Sequence, residues 1–93
     1  MIHFLVHSAT DTVGVAVTEG IKRGQNLTGR TMDTGETLTN NALDDIPLGH
    51  KIAITDIKDK STVIKYGHDI GRSVAPIKKG QHVHVHNLRT TRW

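Results

Sequence analysis

Ninety-three residues with a formal charge of +3 and no cysteine exclude a disulfide scaffold and thiolate metal sites, and nothing in them requires an oxidising compartment. A chain this short buries only about 60–65% of its unfolded surface. It is expected to form a single domain over residues 1–93, too small for a deep catalytic cavity of its own, so that an enzyme built on it would borrow walls from a partner. The basic residues are scattered among Asp and Glu, except at Arg89-Thr90-Thr91-Arg92-Trp93. Neither a dense basic patch nor an aromatic platform is present, so no nucleic-acid partner is expected.

The opening residues 1–7 are apolar but too short, and too broken by His3 and His7, for a signal segment or a membrane span. A cytoplasmic, soluble protein is the expectation. Phe4-Leu5-Val6-His7 reads as a first strand, Ser8-Ala9-Thr10-Asp11 as a turn, and Val13-Gly14-Val15-Ala16-Val17 as a second strand. Gly14 weakens that strand unless another backbone approaches it. Residues 26–31 form a third, weaker strand, and Asp33-Thr34-Gly35-Glu36 a hairpin turn into Thr37-Leu38-Thr39. Residues 40–45 read as a polar loop with room for a short helical turn. Strands follow at 52–57, at Thr62-Val63-Ile64-Lys65-Tyr66 and, after a turn at Gly67-His68-Asp69, at 70–75. No window of ten or more residues has helical periodicity, so the chain is mainly β, built of hairpins with little or no helix.

A short pattern recurs at Ile21-Lys22-Arg23-Gly24, Ile46-Pro47-Leu48-Gly49 and Ile77-Lys78-Lys79-Gly80. In each copy the isoleucine can anchor a turn to the core while the glycine takes a conformation closed to other residues. Repeated corners of this kind imply a compact, barrel-like arrangement.

The chemistry concentrates in His82-Val83-His84-Val85-His86-Asn87. Alternation of imidazole and isopropyl is a strand signal, with histidines on one face and valines on the other. Alternate imidazoles then sit about 6.6 Å apart at Cα, within reach of one divalent ion. Two imidazoles leave a site incomplete, and His50, just after the Gly49 corner and beside Lys51, is the best internal candidate for a third. Lys65 could hold an anion and Tyr66 could donate a proton. Solvated turns, a packing tyrosine and an inert polar strand face account for the same residues equally simply. No nucleophile elbow, P-loop or dinucleotide fingerprint is present, which leaves metal-assisted chemistry as the favoured class.

Gly49-His50-Lys51-Ile52-Ala53-Ile54-Thr55-Asp56-Ile57, Val63-Ile64-Lys65-Tyr66-Gly67, Ile70-Gly71 and His82-Val83-His84-Val85-His86-Asn87-Leu88, in that order, resemble the N-terminal module of the altronate dehydratase family. That module is similar to the SAF domain, a small β-clip fold. The resemblance implies the small subunit of a two-subunit lyase, inactive without a large (beta) subunit and acting on a small anionic substrate. The implied reaction is elimination of sulfite from (2R)-3-sulfolactate to give pyruvate. Dehydration of altronate, or a non-catalytic binding or assembly role, are its alternatives. It further implies ferrous iron, with His84, His86 and His50 as metal ligands and His82 at most adjacent to them. His50, Lys51, Lys65 and Tyr66 are the implied catalytic residues, and Lys51, Lys65 and Asn87 the implied substrate contacts.

Overall fold

The computed structural model describes residues 1–90, so the Thr91-Arg92-Trp93 part of the basic end lies outside the described residues. Nine strands are formed: β1 (Phe4–Val6), β2 (Val13–Ala16), β3 (Asn26–Thr31), β4 (Thr37–Asn41), β5 (Lys51–Ala53), β6 (Thr62–Lys65), β7 (His68–Ser73), β8 (His82–Val83) and β9 (Leu88–Arg89). They make a six-stranded sheet in the order β4-β3-β1-β2-β5-β8 and a three-stranded sheet in the order β6-β7-β9. Among the described residues there is no helix.

Alternation along the strands of the larger sheet divides the apolar residues between two cores. Ile52 joins Phe4, Val6, Ala16, Leu27 and Ile46 in one cluster. Its neighbour Ala53 joins Val13, Val63, Ile77, Val83 and Leu88 in the other. Successive side chains of a strand point to opposite faces, so the sheet separates the two cores, and the smaller sheet closes the second of them. Close packing in the first core depends on Gly29, the register partner of Phe4 on the neighbouring parallel strand. A Cβ at Gly29 would overlap the Phe4 ring. At Gly14 the close backbone approach is present, with the Leu5 carbonyl oxygen 2.9 Å from where a Cβ would sit.

The recurring corner occurs four times rather than three. Ile21 bridges Ile46, and Ile57 bridges Ile77, so each core receives one isoleucine pair. The two pairs are fastened alike: Asp45 Oδ1 accepts the Arg23 N–H at 2.9 Å, and Asp56 Oδ1 accepts the Lys79 N–H at 2.8 Å. Gly24, Gly49 and Gly80 take positive φ of 90°, 84° and 96°, and in the copy that begins at Ile57 the same place is held by Lys60 at φ 60°. A lysine there hides the repeat from a reading based on glycine.

Three sequence expectations are corrected. Residues 40–45 form no helical turn, because their polar groups pair across the fold: the Asn40 side-chain amide donates to the Ala53 carbonyl, Ala42 N–H to Gln25 and Leu43 N–H to Gly80. β5 stops at Ala53. The β6–β7 turn is Tyr66-Gly67, with His68 already in β7.

Gly29→Ala is expected to lower stability by about 2–3 kcal/mol through overpacking. Lys60→Gly is expected to raise it by about 0.5–1 kcal/mol, since relief of left-handed strain exceeds the added freedom of the unfolded chain. Urea denaturation of both variants measures these shifts.

Candidate metal centre

The alternating run 82–86 does not continue as one strand. β8 ends at Val83, and Val85, expected on the apolar face, is 81% exposed. The cause is Asn87. Its Oδ1 accepts the His84 N–H at 2.9 Å and its Nδ2 donates to the His82 carbonyl at 2.8 Å. The His84 carbonyl accepts the N–H groups of Asn87 and Leu88. These bonds turn the chain at His84 and return it as β9 against β7. Asn87 is buried in this turn, with Oδ1 and Nδ2 each engaged by the backbone, and so it positions His84.

β5 pairs with β8 in the register Lys51↔Val83 and Ile52↔His82. Continued one residue, this register sets His50 across from His84. The Gly49-His50 corner is held on β2, since Gly49 N–H donates to the Ala16 carbonyl and Ala16 N–H to the His50 carbonyl, each at 2.9 Å. His50 Nδ1 lies 2.8 Å from His82 Nε2. The His50 and His84 rings stack with centroids 4.5 Å apart, and the His82 and His84 rings lie 5.4 Å apart at 10°. One ligand atom from each of His50, His82 and His84 falls within 4.8 Å of the others. The group that the fold assembles therefore contains His82, where the resemblance puts His86. His86 is exposed, with its ring 5.4 Å from that of His82. The missing signal was the β5–β8 register, which no local pattern encodes.

Burial and neighbouring charges shift His82 and His84 toward the neutral ring. Burial lowers the pKa of His82, the neighbouring His50, His86 and His84 lower it further, and Asp44, whose carboxylate accepts the His82 backbone N–H at 2.9 Å, acts the other way. His84 is lowered by desolvation, then by His50, Lys51 and His86. Neutral imidazoles carry the lone pairs that divalent iron, zinc, copper or nickel require, and three of them leave coordination positions for further ligands.

A cationic strip adjoins the trio. Lys51 is half-buried, and its pKa is lowered by burial first and then by the charge of Lys65. The Lys65 ammonium lies 5.0 Å from the centroid of the Tyr66 ring, which packs edge-on against His7 at 4.7 Å. Lys65 and Tyr66 also line a small cleft of about 100 Å³ with Leu5, Val15 and Met32.

Tyr66 and Gly67 are consecutive residues at positive φ, 55° and 70°, as a two-residue type I′ hairpin requires. Tyrosine is a poor occupant of such a position, at a strain of about 1–2 kcal/mol. Asp11, 5% exposed and not singled out by any sequence pattern, offsets that strain. It accepts the N–H of Tyr66 at 2.9 Å, that of Gly67 at 2.8 Å and the Ser8 hydroxyl at 3.1 Å. Burial works to raise the Asp11 pKa, yet the N–H groups of Gly67, Tyr66 and Ser8 and the Ser8 hydroxyl outweigh it and hold the carboxyl below its usual range.

The arrangement is that of a SAF-like β-clip domain: all-β and helix-free among its described residues, with histidines brought together at a corner and a strand end. The chain belongs to the altronate/galactarate dehydratase SAF domain family, whose profile matches residues 2–91. It is 55% identical over 92 residues to the (2R)-sulfolactate sulfo-lyase subunit alpha of Chromohalobacter salexigens, covering 99% of this chain and 98% of that one. It is 53% identical over 49 residues to the subunit of the same name from Paracoccus pantotrophus, covering 53% of this chain and 73% of that one. To the altronate dehydratase of Escherichia coli it is 54% identical over 46 residues, which is 50% of this chain and 9% of that protein. It is thus a member of a lyase-associated family.

Because Asp11 has a lower pKa folded than unfolded, its contribution to stability is complete above about pH 4 and is lost as pH falls through the native value. Asp11→Asn is expected to be less stable than the parent chain by about 1–2 kcal/mol at pH 7, with the gap narrowing at acidic pH. Urea titrations from neutral pH down to about pH 3 measure it.

Proposed function

We propose that this chain is the small subunit of a two-subunit lyase that eliminates sulfite from (2R)-3-sulfolactate, leaving pyruvate. One observation carries the reading: three imidazoles, brought together where β5 pairs with β8, converge beside two lysines, in a chain alike over nearly its whole length to a sulfo-lyase alpha subunit. The altronate dehydratase match spans a tenth or less of those proteins. What a longer relative carries in one polypeptide is here assigned to a separate large subunit.

His50, His82 and His84 would hold the metal, ferrous iron in this reading, with the remaining ligands from the large subunit and His86 at the rim. When bound, the ion supplies Lewis-acid stabilisation of the charge that develops as the C2 proton is removed. Lys51 and Lys65 neutralise the doubly anionic substrate, and depression of Lys51 by Lys65 is relieved when an anion sits between them. In this reading Tyr66, beside Lys65, donates a proton to the departing group. The base that takes the C2 proton comes from the large subunit. The C2–H electron pair becomes the C2–C3 double bond of the enol as the C3–S bond breaks. Sulfite leaves with the electron pair of the C3–S bond, and the enol takes a proton at C3 as its hydroxyl gives one up, becoming pyruvate.

His82→Ala and His84→Ala, each assembled with the large subunit, are expected to lose most bound iron and to lower sulfite release at least about 100-fold. His86→Ala is expected to retain its iron. Turnover of altronate but not of sulfolactate by the parent complex assigns the hydro-lyase reaction instead. Unchanged iron and turnover in the His82 and His84 variants removes the trio from the mechanism.

A further inference from the structure

Asp11 belongs to none of the residue sets above, and its surroundings give it a task. The Asp11-Thr12 segment clasps the β6–β7 hairpin at its turn. Besides the two N–H bonds to the Asp11 carboxylate, Thr12 N–H donates to the Ile64 carbonyl at 2.9 Å, and Ile64 N–H donates to Thr12 Oγ1 at 3.0 Å. On its other side Thr12 accepts the Ile54 N–H through its carbonyl at 3.0 Å. The segment thus ties the hairpin of the smaller sheet to the chain just beyond β5, the strand that carries Lys51. Lys65 is the last residue before the turn and Tyr66 the first within it. A tyrosine at positive φ persists only where its surroundings over-determine it, and the pair of bonds to Asp11 does so.

We propose that Asp11 is a positioning residue: its buried carboxylate holds the Tyr66-Gly67 turn in its left-handed conformation and so sets Lys65 and the Tyr66 ring at the anion-binding strip beside Lys51. Asp11 touches neither substrate nor metal in this role. It acts through the two N–H groups it accepts. Asparagine at the same place offers one acceptor oxygen and an NH₂ that cannot accept, so the turn loses half of its clasp while the volume is kept.

The inference rests on the anion-binding role proposed for Lys51 and Lys65, and its test separates the two. In the Asp11→Asn chain, the amide proton resonances of Tyr66 and Gly67 are expected to move upfield. Titration with inorganic sulfite, read on the Lys65 and Tyr66 resonances, is expected to show affinity weakened about five- to tenfold. In the complex with the large subunit, KM for sulfolactate is expected to rise by a similar factor and kcat to fall as the Tyr66 ring is displaced, with bound iron unchanged. Ser8→Ala, which removes only the hydroxyl that donates to Asp11, is the milder variant should Asp11→Asn fold poorly, and is expected to move the same quantities in the same direction by less. Displaced turn amides with unaltered sulfite affinity and KM overturn the positioning role, as does an Asp11→Asn chain whose turn amides do not move. Absence of sulfite binding in the parent chain overturns the anion-binding role itself, and the proposal with it.

Discussion

The antiparallel pairing of β5 with β8 is the contact on which the site depends. It joins a corner that follows β2 to a segment some thirty positions later, and its register sets His50 across from His84. Each side of the pair is held independently. On the β5 side, the Gly49-His50 corner is bonded to β2 through Ala16. On the β8 side, Asn87 ends the strand at Val83 and turns the chain away at His84. Loss of either anchor would leave histidines in the same strands without a common point to face.

The fold reaches this pairing by using one corner four times. Two isoleucine bridges, each fastened by an aspartate that accepts a backbone N–H from the opposing corner, supply one apolar pair to each core. A small chain gains from such economy, because each of its two cores receives one isoleucine pair. Two non-glycine residues, Lys60 and Tyr66, accept positive φ. At Lys60 the reason is positional, since the corner demands that conformation at every copy. At Tyr66 it is local: a buried carboxylate accepts the amides of both turn residues, and the aromatic ring is left half-exposed beside Lys65.

Charge is arranged in the same spirit. Burial and then the neighbouring imidazoles lower the proton affinity of His82 and His84, Lys51 adds to the effect at His84, and Lys65 in turn acts on Lys51. The carboxylates nearby are committed to backbone groups: Asp44 to the N–H of His82 and Asp11 to the Tyr66 turn. Asp44 keeps its negative charge beside His82, while the Lys51 and Lys65 ammonium groups form the strip beside the trio. Such a surface favours a metal ion through its lone pairs and an anion through its ammonium groups, and the two preferences meet at His84 and Lys51.

What could be read from the residues alone was whatever local physics governs. Period-two alternation and the absence of helical periodicity were enough for an all-β chain of hairpins, and the isoleucine-to-glycine corners were visible wherever glycine marked them. The motif order from Gly49 to Leu88 led to the right family, and the run of imidazoles contains two of the three histidines that converge. Which histidines meet was settled only in three dimensions. Strict alternation predicts that His82, His84 and His86 share a face, but Asn87 bonds back to His82 and His84, and bends the run before His86. The convergence of His82 with His50 and His84 and the clasp formed by Asp11 depend on hydrogen bonds and a register between segments far apart in sequence. Those are set by the competition of whole strands for one another and for two cores, and no single stretch of the chain contains that information.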